Sequence, residues 1–90
     1  MSAAVEVEIV IPESMGRVEA LAKTIAVLNR VIEGRMRLWR ASRREVAVFG
    51  PHVEENPGLP YRTLVYRVAR DFGGYSLCDV WGLNAYRVTA

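Results

Sequence analysis

The chain has 90 residues and a mass of 10.1 kDa, the size of one domain spanning residues 1–90. Its 24% charged and 51% apolar residues form a globular balance, which excludes intrinsic disorder and collagen-like repeats. The net charge of +2 conceals an uneven division: three basic residues face five acids over residues 1–34, and nine face five over residues 35–90.

Ala4 to Ile11 reads A-V-E-V-E-I-V-I, a period-two alternation that predicts a strand closed by Pro12. Ser14 is placed to cap a following helix, with Glu13 near the positive end of its dipole. From Met15, Val18, Leu21, Ile25, Leu28 and Ile32 recur at helical spacing, and Ala20, Thr24, Val27 and Val31 form a second stripe beside them. An apolar arc this wide is expected to meet two surfaces, the chain's own sheet and a second subunit or a covering loop.

Gly34 is the favoured helix stop, at a length of about 29 Å that matches a sheet. Arg35 to Ala41 then reads as a strand with Met36 and Leu38 on one face. The competing reading continues the helix to about Arg43 as an arginine-coated extension. Glu45 to Phe49 is a short strand. The segment Gly50 to Pro60, with three of the four prolines, is a loop. Leu59 to Arg70 is a strand by its aromatic and β-branched content, Gly73-Gly74 a hairpin turn, Tyr75 to Trp81 the return strand, and Ala85 to Thr89 the last strand. The expected fold is α+β: an antiparallel sheet of about four to six strands, in the order β-α-β-β-β-β, with one long amphipathic helix on one face.

Eleven of the twelve basic residues are arginine, and five of them lie in residues 35–44, which hold no acid. In the 61–70 strand, Tyr61, Thr63, Val65, Arg67 and Ala69 point one way and Arg62, Leu64, Tyr66, Val68 and Arg70 the other, so either face sets arginine beside an aromatic or aliphatic residue. Arginine forks pair with phosphates, and rings stack on bases. The expected function is therefore non-catalytic binding of RNA or single-stranded DNA by a homodimer or larger oligomer. Arg35, Arg37, Arg40, Arg43 and Arg44 would supply charge, and Trp39, Tyr61, Arg62, Tyr66 and Arg67 an Arg/aromatic sheet surface.

The alternative is an interaction module whose helix or open sheet face joins copies into a homo-oligomer. No cofactor is expected. His52 with Glu54 and Glu55 is too small a set for a metal, and Cys78 is the single cysteine. No segment predicts a membrane span or a secretory leader, so cytoplasmic residence is expected.

The runs Y-R-T-L-V-Y-R-V and V-W-G-L-N-A-Y resemble the end of RelE-type ribosome-dependent mRNA interferases over about 27 residues. That resemblance implies a phosphate or transition-state contact at Arg62 and a terminal aromatic at Tyr86. The chain departs from it at Leu83 and Asn84, where the toxins carry basic residues, and in its leading strand. The toxin reading is therefore a second alternative.

Overall fold

The computed structural model describes residues 4–70 and 85–89. Strand β1 (Ala4–Pro12) leads into helix α1 (Arg17–Trp39), a 3-10 turn (Arg43–Glu45), β2 (Val46–Glu54), β3 (Tyr61–Arg70) and β4 (Ala85–Thr89). The fold is α+β, with three antiparallel strands and one long helix, as the patterning predicts. The sheet order is β2-β3-β1-β4, and β4 joins β1 in parallel, not antiparallel, register. The Gly73-Gly74 turn and the Tyr75 to Trp81 strand lie outside the described residues.

The alternation in β1 puts Val5, Val7, Ile9 and Ile11 under the helix, all essentially buried. Register carries this face across to Val68, Tyr66, Leu64 and Arg62 of β3, and to Val48 and Val53 of β2. The opposite face holds Glu6, Glu8 and Val10 of β1, Thr63, Val65 and Arg67 of β3, and Phe49, His52 and Glu54 of β2. There Phe49 packs over Ala4 and Ala69.

Both helical stripes contribute to the contact with the sheet, the small-residue one along its length and the larger one through Leu28 and Ile32. Thr24 is buried and donates its hydroxyl to the Ala20 carbonyl at 2.8 Å, while Ala20, Val27 and Val31 pack on the β1 core. Small side chains let the helix approach closely, and this turns Val18, Leu21 and Ile25 outward. Lys23 leans toward β1 and donates to the Val10 carbonyl at 2.8 Å.

Four expectations need correction. The helix starts at Arg17 with Gly16, not Ser14, at its N-cap, because Met15 N–H is taken by the Pro12 carbonyl in a turn. The helix passes through Gly34 and ends at Trp39, so the predicted Arg35 to Ala41 strand is helical up to Trp39. An interior glycine costs about 1 kcal/mol, and packing Trp39 against the core outweighs it. Termination comes instead from a Schellman pair at Arg40: its N–H bonds the Arg37 carbonyl, and the Ala41 N–H bonds the Met36 carbonyl. Finally, β2 runs on to Glu54 through Gly50 and Pro51, where a loop is expected. On an edge strand a bulge absorbs a residue that lacks an N–H, and the register shift falls between Phe49 and His52.

Gly50 has φ +128°, and a Cβ there would lie 2.8 Å from the Val65 carbonyl oxygen, so this position requires glycine. Gly34 has nothing within 4 Å of a built Cβ. Gly34→Ala is accordingly expected to raise stability by about 0.5–1 kcal/mol in urea melts, where a glycine at a left-handed cap would lose stability on the same change. Ile9→Ala, at a fully buried position, is expected to lower it by about 3 kcal/mol.

Candidate nucleic-acid interface

The antiparallel ladder separates the residues that the sequence groups together. Tyr61 and Arg67 lie on the sheet face away from the helix, whereas Arg62 and Tyr66 lie on the helix side. Tyr66 is half-buried and packs against the β1 core. Arg62 stands opposite Ile11, at the end of the sheet where the helix begins. The Arg35 to Arg44 cluster lies at the other end, where Trp39 and Val46 join the core. Eight strand residues, about 27 Å, separate Arg62 from that end. The ten residues therefore form no single Arg/aromatic sheet surface.

The open sheet face is also the wrong sign for a polyanion. Glu6, Glu8 and Glu54 share it with Arg67 and His52. Arg67 Nη2 lies 3.5 Å from Glu6 Oε2, both side chains being largely shielded, so this guanidinium is committed within the fold. A shallow cavity of about 250 Å³ sits beside the pair, lined also by Phe49 and His52. Among the described residues no cluster of His, Cys, Asp or Glu could hold a metal ion.

The helix C-terminal end is different. Arg37 is exposed in the last turn of α1, Arg40 is exposed at the left-handed cap, and Arg43 and Arg44 are exposed in the 3-10 turn. None of the four has an ion-pair partner among the described residues. The nearest acid in sequence, Glu45, is engaged with Arg70 at 3.7 Å. Arg35 instead lies over the Trp39 ring, its Cζ 6.0 Å from the centroid. The indole is half-buried, packing against the core on one side with a guanidinium at cation–π range.

Arg40 was hidden from sequence reading in one respect. Its backbone adopts φ 51°, ψ 48°, a left-handed conformation that costs a side-chain-bearing residue about 1 kcal/mol relative to glycine. No local sequence feature announces this, because glycine is the usual occupant. The two positions implied by the toxin resemblance are not brought together. Arg62 is in register with Ile11 and Tyr86 with Val5, about 20 Å apart along β1.

The half-buried pair can be tested directly. A double-mutant cycle of Glu6→Gln and Arg67→Met, followed by urea unfolding, is expected to return a coupling of about 1 kcal/mol.

No protein-family model, curated protein or solved structure matches the chain.

Proposed function

We propose that the chain binds nucleic acid non-catalytically, through phosphates held at the C-terminal end of α1. The observation that carries this reading is Arg40, a long exposed cation kept in a backbone conformation that glycine fills at lower cost. One cation in the last turn is enough to complement the helix dipole. Arg37, Arg40, Arg43 and Arg44 exceed that need, and self-repulsion among four charges that have no ion-pair partner among the described residues favours a polyanionic partner.

The four arginines sit where the chain turns from helix to 3-10 turn to strand, so they present an irregular cluster and not a straight row. RNA or single-stranded DNA, with a flexible backbone, can bring successive phosphates onto such a corner. With Trp39 covered by Arg35, ring stacking contributes little, and binding is led by the backbone with weak sequence preference. The acidic open face excludes the strand from that side of the sheet. No helix among the described residues is long and apolar enough to cross a membrane.

Anisotropy titrations with labelled single-stranded oligonucleotides check this. Four phosphate contacts give an expected slope of log K against log salt near −3, about −0.7 per contact. Arg43→Ala with Arg44→Ala should roughly halve the slope for every sequence alike, and Arg67→Met should leave it unchanged. Arg40→Gly should raise the melting temperature while weakening binding, since it relieves backbone strain and removes one phosphate contact. Absence of binding at low salt would overturn the assignment.

A further inference from the structure

Gly34 is a residue that the fold itself does not account for. It lies inside α1, where glycine is the least favourable occupant after proline. Its backbone is not left-handed, and a Cβ built on it would meet nothing within 4 Å. Neither conformation nor packing within the chain calls for glycine at this position. The missing side chain leaves room over a shallow cavity of about 390 Å³, lined by Arg30, Val31, Gly34, Arg35 and Leu38.

Helix geometry arranges these five residues. At about 100° per residue they fall on one arc of roughly 140°, in the order Arg30, Gly34, Leu38, Val31, Arg35. Two arginines thus border an apolar centre, in which Leu38 is 67% exposed. Among the described residues the lining holds no acid, and neither arginine has an ion-pair partner. Such a border favours an electron-rich or anionic occupant.

Arg35 is also held in place. Its Cζ lies 6.0 Å from the centroid of the Trp39 ring, and Trp39 packs on the core. A guanidinium is planar, and one already held against a ring loses less freedom when a second flat group stacks on it. The cavity is continuous with the arginine corner at the helix end. Arg37 lies about 20° beyond Arg30 on the helix surface, and Arg40 is six residues past Gly34, about 9 Å of helical rise.

Resting on the phosphate reading of that corner, we infer that the cavity receives one unstacked base of the bound strand. The base lies over Gly34 and Leu38 and stacks against Arg35, while neighbouring phosphates meet the arginines of residues 37–44. Gly34 lets the ring approach the helix backbone closely. Bases of a duplex are stacked within their own helix and do not enter, so this site selects single strands. Every base has a flat face, so occupancy does not depend on sequence.

Anisotropy titrations of the full chain compare an oligothymidine, an abasic oligomer with the same number of phosphates, and a DNA duplex. The oligothymidine is expected to bind about fivefold more tightly than the abasic oligomer. Gly34→Leu should abolish that difference, leave the salt slope and duplex binding unchanged, and keep the melting temperature at or above that of the parent chain. Arg35→Lys keeps the charge but loses the planar fork, and should also bring the two affinities together. Equal affinity of the parent chain for the two oligomers, or a difference that survives either substitution, overturns the inference. If Gly34→Leu unfolds, Arg35→Lys decides. Salt-dependent binding of both oligomers alike leaves the phosphate reading standing and removes this one, whereas binding of neither at low salt ends both.

Discussion

The contact between Ala20, Thr24, Val27 and Val31 of α1 and Val5, Val7, Ile9 and Ile11 of β1 determines most of what the molecule presents to its surroundings. Leu28 and Ile32 extend it along the second half of the helix, and together these residues fix the rotation of α1 about its own axis. That rotation leaves Val18, Leu21 and Ile25 facing solvent in the first half of the helix. It also aims the far end of the helix past the sheet, where Trp39 is the last anchor and the arginines begin. The apolar surface and the basic surface are thus two outcomes of one packing choice, at opposite ends of the same helix.

The two surfaces answer different physical demands. Apolar side chains at the N-terminal half of α1 gain by leaving water, with no directional requirement. Exposed arginines at the other end gain by meeting phosphate, and their attraction falls with salt. The exposed charges cluster from Arg37 to Arg44 and the exposed apolar residues from Val18 to Ile25, so the two surfaces are separated along the helix.

Much of this was legible in the sequence, and the failures have identifiable causes. The alternation of β1 and the β-branched run of β3 specify their strands because each has one face under the helix. The helix was legible as a helix, but its two apolar stripes are equivalent by periodicity alone. Only the three-dimensional fit shows that the core takes Ala20, Thr24, Val27 and Val31 from one and Leu28 and Ile32 from the other. Gly34 misleads because its local cost is repaid by a contact five residues later, at Trp39, which no window centred on the glycine weighs. Pro51 misleads because its penalty depends on whether the strand is central or at an edge, and strand order is not a local property. The arginine cluster was legible as composition. Its division from Arg62 and Arg67 was not, since strand parity assigns faces only once the helix side is known.

The bulge in β2 has a consequence for assembly. Among the described residues β2 is the edge of the sheet away from β4, and a sheet edge can template a neighbour's strand and begin an open-ended stack. Pro51 offers no N–H to such a neighbour, and the irregularity between Phe49 and His52 breaks the even spacing a long ladder needs. Edgewise growth into a continuous ribbon is therefore blocked in mid-strand.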